Sequence, residues 1–450
     1  MRENGEGIVQ QVAPSKRSEH GRGSARARRK LPSLAELSGM QRLEAHLGRD
    51  RVTRLARTFF DHFHDIHLKD LTVEEMDDRR GMTIAGRKLW NFGSDSFLGL
   101  DRNPDVQRAL VEAVRPWGTH NGASRAFSSV QLCDEAERRL ARWLGVADTL
   151  IYPSVTLANA GLIPAVTGAG DLLVVDRLSH DSIQQAAKIA AANGAVLREF
   201  HPCCAAPLEE LLIAEQYESA VVAVDGVYSM TGKIPPLAEL DAVTRAHGGV
   251  LYVDDAHGTG VVGPRGRGAA ATVLGSLDDV LMVGSLSKAF SCMGAFVTCN
   301  ANLKEILKIR SSTFIFGGPV PPPYLAAICA VCDILESPQH DVLLGRLHSL
   351  MQRLTDGIRS LGLSVLGGEA PILSITIGDI ERTFEAGKWL FDRGFYVQSA
   401  TYPAVPINGG LLRIQVNANH PVEAVDGLLN AIADLKEAFK LGGSGDGDAA

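Results

Sequence analysis

Lys288 is the residue of this chain with the clearest potential for chemistry. It lies in LMVGSLSKAFSCMG (residues 281–294), where an apolar, strand-like run passes into small and hydroxyl residues. Its neighbours Leu286, Ala289 and Phe290 are apolar, and such surroundings favour a neutral, nucleophilic amine. Neutral amines form Schiff bases with carbonyl compounds. The motif alone also fits an ordinary lysine at a strand end, and Ser-x-x-Lys is typical of serine acyl-enzymes.

Two carboxylates precede the lysine in VLYVDDAHGTG (residues 250–260). Four mostly β-forming residues end in Asp254 and Asp255, which is typical of a buried parallel strand whose carboxyl end faces a ligand. Pyridoxal-phosphate enzymes pair their Schiff-base lysine with an acidic partner of the pyridinium nitrogen. Asp254 is the candidate for that partner, and His257 is close enough in sequence to reach the phenolic oxygen of the ring. A helix cap and a core histidine remain the structural alternative.

Three stretches follow one another in the order DGVYSMTGKIPPLAEL, VDDAHGTGVVGPRGRG and SLSKAF. Together they resemble the α-oxoamine synthase family of fold-type I pyridoxal-phosphate enzymes, and the similarity runs from Asn91 to His420. The resemblance implies pyridoxal 5'-phosphate as cofactor. It implies a decarboxylative Claisen condensation of an amino acid with an acyl thioester, carried by coenzyme A or a carrier protein, to give an α-amino ketone. It also implies a homodimer with the active site at the subunit interface.

The resemblance assigns roles to residues along most of the matched stretch. Lys288 is expected to hold the cofactor and to move the α-proton, and His180 to stack on the cofactor ring. Arg413 is expected to bind the substrate carboxylate, a task that suits a guanidinium. Residues 154–156, at a predicted helix start, are expected to contact phosphate. The predicted catalytic residues are Lys288, His180, Asp254 and His257; the cofactor-binding set is these four with Ser229, Ser285, Ser154, Val155 and Thr156; the substrate-binding set is Arg413, Asp95 and Arg125.

The chain departs from the family pattern at three places. Asp95, in NFGSDSFLGL, stands where the family usually has Asn, and a carboxylate there would repel an anionic acyl tail. Val155 and Thr156 replace a glycine-aromatic pair of many relatives. Gly317 and Gly318 replace hydroxyl residues in a loop that contributes to the neighbouring subunit's site in the family. These departures leave the amino acid and the acyl chain undetermined.

The candidate residues follow strands that alternate with helical patterns. DLLVVDRLSH (171–180) and VVAVDGVYS (221–229) end in polar side chains, with Asp225 as a further candidate, and Ser287 accompanies Ser285 before the lysine. This alternation predicts an α/β fold, in which a mostly parallel sheet is covered by helices on both faces. The predicted division is a disordered basic tail (1–30), a helical segment and arm (31–104), a large cofactor-binding domain (105–322), a smaller α+β domain (323–440) and a disordered tail (441–450).

Composition narrows the class of protein. The chain has 450 residues, 45% of them hydrophobic, which is enough for a large core, and its net charge of −7 argues against a general nucleic-acid binder. We expect no membrane span, because long apolar runs are missing. The seven cysteines form an odd set that fits reduced thiols in the cytoplasm. Cys329 and Cys332 lie in an apolar helical run and indicate core packing, so no metal site is expected.

Three alternative functions stay open. An aminotransferase or a lyase of the same fold would share the lysine and the aspartate. A non-catalytic partner subunit of a heterodimeric synthase is possible in this family, but the retention of Lys288, Asp254 and His180 argues against it. A serine acyl-enzyme would use Ser285 with Lys288 and would bind no coloured cofactor.

Overall fold

The structure is a computed structural model that describes residues 37–63, 68–202 and 204–442. Two compact units are separated after His62. The tail predicted over residues 1–30, and all but two residues of the tail predicted over 441–450, lie outside the described residues. Across the described ranges, no helix combines the length and the apolar composition needed to cross a membrane.

The first unit contains two helices, α1 (Gly39–Leu47) and α2 (Arg51–His62). Ser38 begins α1 with a capping box: its hydroxyl accepts from the Gln41 backbone N–H at 3.3 Å, and Gln41 Oε1 accepts from the Ser38 N–H at 2.8 Å. Both helices lie within the segment predicted as helical segment and arm (31–104).

The second unit contains three sheets and the helices that cover them. Its strands are β1 (Glu75–Met76), β2 (Gly81–Ile84), β3 (Arg87–Asn91), β4 (Asp148–Tyr152), β5 (Leu172–Asp176), β6 (Val196–Phe200), β7 (Ala220–Asp225), β8 (Val250–Asp254), β9 (Val280–Ser285), β10 (Ala295–Cys299), β11 (Val365–Gly367), β12 (Ile372–Gly378), β13 (Phe395–Tyr396), β14 (Gln398–Ala400) and β15 (Gly410–Gln415). Its α-helices are α3 (Pro104–Trp117), α4 (Gln131–Leu144), α5 (Val155–Val166), α6 (Asp181–Ala192), α7 (Ala206–Ala214), α8 (Leu237–Ala246), α9 (Ala269–Leu274), α10 (Ala301–Arg310), α11 (Ser312–Phe316), α12 (Pro322–Leu335), α13 (Pro338–Ser360), α14 (Ile380–Asp392) and α15 (Val422–Phe439).

The largest sheet has seven strands in the order β4-β10-β9-β8-β7-β5-β6. Strands β5 to β9 pair in parallel, whereas β10 is antiparallel to both β4 and β9. Successive residues of β8 enter different core clusters, with Leu251 and Val253 in one and Tyr252 in the other. Because successive side chains of a strand point to opposite faces, this sheet is buried on both faces. The predicted mostly parallel sheet covered by helices is confirmed.

The parallel strands deliver polar residues to one edge of this sheet. Strands β5, β7, β8 and β9 end at Asp176, Asp225, Asp254 and Ser285. Asp225 and Asp254 are direct neighbours in the register between β7 and β8. The carboxyl ends of parallel strands therefore bring together residues that are far apart in the sequence.

Two further sheets have four strands each. One, in the order β11-β12-β15-β14, is formed by C-terminal strands, and in the other β13 pairs in parallel with β3. Helix α12 begins at Pro322 and packs on α3 and α4. Cys329 and Cys332 are buried on α12, and burial raises the pKa of the Cys329 thiol to about 11. Both cysteines belong to the core, as the sequence indicates.

Candidate active site

A cavity of about 210 Å³ opens at the carboxyl edge of the seven-stranded sheet. The residues that line it are Ser154, Val155, Thr156, His180, Asp225, Asp254, Ala256, His257, Ser287 and Lys288. All of the predicted cofactor-binding residues except Ser229 and Ser285 are in this wall. Four strand ends and one helix start thus converge on a single small space.

Lys288 projects from the turn that follows β9. The turn is closed by the Ser291 N–H, which donates to the Lys288 carbonyl at 2.8 Å, and Ser291 has a positive φ of 56°. The Ser291 hydroxyl lies 2.5 Å from that of Ser96, which belongs to the NFGSDSFLGL stretch. Within the described part of the chain, Lys288 Nζ makes no hydrogen bond or salt bridge. The amine is therefore available to a ligand in the cavity.

Asp254 is held at the end of β8 by two donors. Its Oδ2 accepts from Asn159 Nδ2 at 2.7 Å, and its Oδ1 accepts from the Ala256 N–H at 3.2 Å. The adjacent Asp225 instead accepts from the His180 N–H at 3.1 and 3.2 Å. Burial, and then the charge of Asp254, raise the pKa of Asp225 well above its usual range. Asp254 thus lies in the cavity wall with a donor on each oxygen, an arrangement that suits a carboxylate facing a cationic group.

Two histidines form part of the wall. His180 follows β5 and caps α6, and its Nδ1 faces the Ser182 hydroxyl at 2.7 Å. His257 is almost completely buried beyond the end of β8. Burial lowers the pKa of His257 well below the usual value, and the positive charges of Lys288 and Arg413 lower it further. His257 is thus a neutral imidazole that can donate or accept one hydrogen bond.

The start of α5 gives the cavity an anion-binding end. Ser154 caps this helix by accepting from the Leu157 N–H at 3.1 Å, and the unpaired N–H groups of the first turn favour a negatively charged group. Ser287 lies in the cavity wall with this helix start. Ser285 is fully buried at the end of β9 and accepts from the Ser287 N–H at 3.2 Å. The structure thus gives Ser287, rather than the predicted Ser285, the exposed hydroxyl.

Arg413 and Asp95 are brought together, but outside the wall of the cavity. Arg413 on β15 is 3% exposed and forms a salt bridge through Nη2 with Asp95 Oδ1 at 3.1 Å. Its Nη1 donates to Gln398 Oε1 at 2.7 Å, and its Nε donates to the Ser229 carbonyl at 2.5 Å. Asp95 Oδ1 also accepts from Gln415 Nε2. The predicted carboxylate clamp therefore has a carboxylate of the chain itself as its partner.

Arg125, predicted to bind substrate, is buried and paired with groups of the chain itself. Its Nη1 donates to Glu137 Oε1 at 2.8 Å and to the Ile151 carbonyl at 3.0 Å, and the guanidinium lies 5.0 Å from the ring centroid of Phe314. Glu137 is itself buried and is also paired with Lys304 at 2.9 Å. The buried ion pair and the bond to the Ile151 carbonyl give the Arg125 guanidinium a structural role; its substrate-binding role stays a prediction.

Several residues around the site were missed by sequence reasoning. Asn159 on α5 and Ser182 on α6 are buried and hydrogen-bonded to Asp254 and His180. One signal for Asn159 was available, since a lone amide in the apolar helix VTLANAGLIPAV requires partners. Its partners come from other strands and helices and are visible only in the fold.

The donor set fits pyridoxal phosphate. An unpaired amine suits the aldehyde, the Asp254 carboxylate suits a pyridinium nitrogen, and the start of α5 suits a phosphate group. A serine acyl-enzyme is disfavoured, because Ser285 is buried outside the cavity wall and is hydrogen-bonded to Ser287.

Comparison with known proteins identifies the family. The model of the aminotransferase class I and II family matches residues 87–432, which is more than half of the chain. The chain is 37% identical over 356 residues to 8-amino-7-oxononanoate synthase of Geobacter sulfurreducens, covering 79% of this chain and 90% of that protein. It is 30% identical over 381 residues to serine palmitoyltransferase of Bacteriovorax stolpii, covering 84% of this chain and 89% of that protein.

Solved structures show the same relationship. Serine palmitoyltransferase of S. paucimobilis with a bound PLP-myriocin aldimine has a TM-score of 0.81 and 26% identity, covering 87% of this chain and 100% of that one. Serine palmitoyltransferase of Sphingomonas wittichii also has a TM-score of 0.81, with coverage of 87% and 99%. The chain therefore belongs to the aminotransferase class I and II family and, within it, to the α-oxoamine synthases, enzymes that use pyridoxal 5'-phosphate.

Proposed function

We propose that this chain condenses a carboxylate-bearing α-amino acid with an acyl thioester, releasing carbon dioxide and a thiol and forming an α-amino ketone. The observation that carries the proposal is the cavity in which the unpaired Lys288 amine meets the Asp254 carboxylate and the start of α5. Pyridoxal phosphate, when bound there, supplies an electron sink for the substrate carbon that loses a proton or carbon dioxide. The relatives named as synthase and palmitoyltransferase support the same reaction class.

Each residue of the candidate site has a separate role in the proposed reaction. Lys288 Nζ would hold the cofactor aldehyde and would move the α-proton of the substrate, a role that depends on its position. The Asp254 carboxylate would face the ring nitrogen and favour its protonated form. His257 is neutral and can hydrogen-bond the ring oxygen, and Ser287 with the N–H groups at the start of α5 can hold phosphate.

The substrate carboxylate is assigned to Arg413. A buried guanidinium binds a carboxylate with two parallel hydrogen bonds and little loss of side-chain entropy. Arg413 is held in place by Gln398 and by the Ser229 carbonyl, so its orientation is set before a substrate arrives. Its present partner, Asp95, has to share the guanidinium or give it up.

We also propose that two copies of the chain associate through two surface segments, called here the interface loops: residues 118–129, and residues 314–322, which run from the end of α11 to the start of α12. These loops are joined by the Ser124 hydroxyl, which donates to the Ile315 carbonyl at 2.5 Å. Each exposes one phenylalanine: Phe127 is 88% and Phe316 is 84% exposed. Apolar rings this exposed favour a protein interface. The backbone amide of Gly318 would then lie at that interface, next to the second site, whereas the Gly317 N–H donates to the Thr313 carbonyl at 3.0 Å.

The dimer is tested by light scattering coupled to gel filtration. The wild type is expected to elute as a dimer, and Phe127→Asp with Phe316→Asp as a monomer. Ile213→Asp is a matched control, since this isoleucine is also exposed but lies on α7, away from both loops. A wild-type monomer would contradict the proposal.

The reaction is tested with the visible absorption spectrum of the purified protein, before and after a panel of small amino acids. An absorption band that shifts with one amino acid, and product release only when an acyl thioester is added, would support the synthase. Lys288→Ala is expected to alter the band and abolish turnover. Lys188→Ala, on the exposed face of α6, serves as the control and is expected to behave as wild type.

Other outcomes identify the alternatives. Turnover with an amino acid and a keto acid, without a thioester, would indicate an aminotransferase. A protein that stays colourless after addition of pyridoxal phosphate would contradict the proposal and favour a non-catalytic partner subunit.

A further inference from the structure

Asn159 is a fully buried amide in the middle of an apolar helix. It lies one turn after the start of α5, behind the cavity, and it is not part of the cavity wall. An amide without partners at such a position would be strongly unfavourable, since its hydrogen-bonding groups would be removed from water.

Every hydrogen-bonding group of the Asn159 side chain has a partner. Its Nδ2 donates to Asp254 Oδ2 at 2.7 Å and to Ser182 Oγ at 2.8 Å, which uses both amide hydrogens. Its Oδ1 accepts from the Tyr252 hydroxyl at 2.6 Å. Burial raises the pKa of Tyr252 well above its usual value, so this hydroxyl keeps its proton.

The charge of Asp254 fixes which way the amide points. A carboxylate can only accept hydrogen bonds, so the flipped amide would place its oxygen against another acceptor. In the orientation found, Tyr252 and Asp254 are both satisfied. The amide is thus clamped from both sides, and its two hydrogens have fixed directions.

The contacts of Ser182 favour one proton position on His180. The Ser182 hydroxyl has one hydrogen and two lone pairs, so it can accept from Asn159 Nδ2 at 2.8 Å and also donate to His180 Nδ1 at 2.7 Å. The Ser182 backbone N–H also points to this Nδ1, at 3.2 Å. Two donors on Nδ1 require this nitrogen to be the acceptor, so the neutral ring carries its hydrogen on Nε2.

We propose that Asn159 is the positioning residue of this active site, which orients the Asp254 carboxylate directly and, through Ser182, keeps the His180 proton on Nε2. The proposal rests on the proposed function, because it assigns the cavity to pyridoxal phosphate and an amino acid. One amide then controls two groups of the cavity wall: the carboxylate assigned to the ring nitrogen and the imidazole assigned to the ring face. The His180 Nε2–H is left free to donate to the substrate.

The test uses three variants that separate the two arms of the network. Asn159→Leu removes both arms with little change in volume. Asn159→Asp keeps the shape but replaces both N–H donors with a carboxyl group, which next to Asp254 either repels its charge or shares one proton with it. Ser182→Ala removes only the arm that leads to His180. Thr244→Val is the control for loss of a buried hydrogen bond, since Thr244 is fully buried and donates to Leu240 within α8.

The first measurement is the affinity of each apoprotein for pyridoxal phosphate, followed by the absorption change on titration. Both Asn159 variants are expected to bind at least tenfold more weakly than wild type, equivalent to about 1.4 kcal/mol. Ser182→Ala is expected to stay within about twofold, because Asp254 keeps its donor from Asn159. The second measurement is the dissociation constant of the amino acid for the loaded protein, which Ser182→Ala is expected to raise several-fold.

The controls distinguish failure of this inference from failure of the proposed function. If wild type binds no pyridoxal phosphate, the proposed function is wrong. If wild type binds it and both Asn159 variants match its affinity and absorption band, Asn159 does not position Asp254. If Asn159→Leu does not fold, the affinities of Asn159→Asp and Ser182→Ala test the inference. A loss of affinity of the same size in Thr244→Val would overturn the assignment, because it would show a general effect of destabilisation.

Discussion

Replacement of Asp95 by asparagine is expected to tighten the binding of the amino-acid substrate. Asp95 forms a salt bridge with Arg413 at 3.1 Å, and the guanidinium also donates to Gln398 and to the Ser229 carbonyl. A substrate carboxylate at Arg413 therefore meets a second negative charge on the same guanidinium. Asparagine keeps the size and an acceptor oxygen but removes that charge.

The size of the expected change in affinity follows from the distance between the Asp95 carboxylate and the substrate carboxylate. Two groups on one guanidinium lie about 5 Å apart, and two unit charges at that distance repel by about 3 kcal/mol at an effective dielectric constant of about 20. The Asp95 side chain is 35% exposed, so solvent screening reduces the effect to about 1–2 kcal/mol. Since each 1.4 kcal/mol is a factor of about ten, the dissociation constant should fall about 5- to 30-fold.

The assay is the shift of the visible absorption band during titration with the amino acid. Asp101→Asn is the matched control: Asp101 pairs with the buried Arg80 at 2.6 Å, and neither residue is in the cavity wall. Both variants are expected to lower the free energy of unfolding by about 1–3 kcal/mol, because each leaves a buried arginine with a neutral partner. Unchanged or weaker amino-acid binding in Asp95→Asn would refute the reasoning and indicate that Asp95 contributes to binding.

Three further changes test the roles of single residues. Arg125→Gln is expected to lower the free energy of unfolding by about 3 kcal/mol, because it breaks a buried pair with Glu137, and to leave the amino-acid dissociation constant unchanged; a normal melting temperature with weaker substrate binding would instead support substrate contact. Burial raises the pKa of Asp255 to about 8 in the folded protein, compared with about 4 in the unfolded chain. The protonated carboxyl therefore stabilises the folded protein fully below pH 4, and this stabilisation is lost as the pH rises from about 4 through 8. Asp255→Asn should therefore gain stability relative to wild type between pH 5 and pH 8, as measured by urea unfolding, and a constant difference would contradict this. Ser291→Gly should relieve about 1 kcal/mol of backbone strain at Ser291, whose φ is 56°, and so raise the melting temperature. It also removes the hydroxyl that contacts Ser96, so the affinity for the amino acid should fall. Changes of melting temperature and affinity in the same direction would contradict this link.

The convergence of the main site residues could be predicted from the sequence for a simple reason. Lys288, Asp254 and His180 each follow an apolar strand, and parallel strands place their carboxyl ends at one edge of a sheet. The resemblance added roles that no periodicity supplies, such as a ring stacked on His180. For these residues, the position at a strand end and the parallel direction of the strands were sufficient to predict that they lie together.

The remaining contacts depend on partners that are distant in the sequence. Arg125 is a plausible anion ligand in a glycine-rich loop until the fold places Glu137 beside it. Ser285 and Ser287 are equivalent by composition, but β9 ends at Ser285 and buries it, which leaves Ser287 at the cavity. The antiparallel β10 between β4 and β9 was also not predicted, because its apolar residues fit either direction. Which of two similar residues faces a site is set by where the strand ends.

The position of the negative charge at the sheet edge follows from the donors around it. Asp225 and Asp254 are neighbours in register, so burial and mutual repulsion oppose ionisation of both. Asp254 receives separate donors on its two oxygens, from Asn159 at 2.7 Å and Ala256 at 3.2 Å, whereas the two oxygens of Asp225 share the single N–H of His180. Asp254 has the more complete set of hydrogen-bond donors, and burial, with the charge of Asp254, raises the pKa of Asp225 well above its usual value. Because Asn159 supplies the shorter of the Asp254 contacts, the assignment of Asp254 to the ring nitrogen depends on a neutral amide as much as on the aspartate itself.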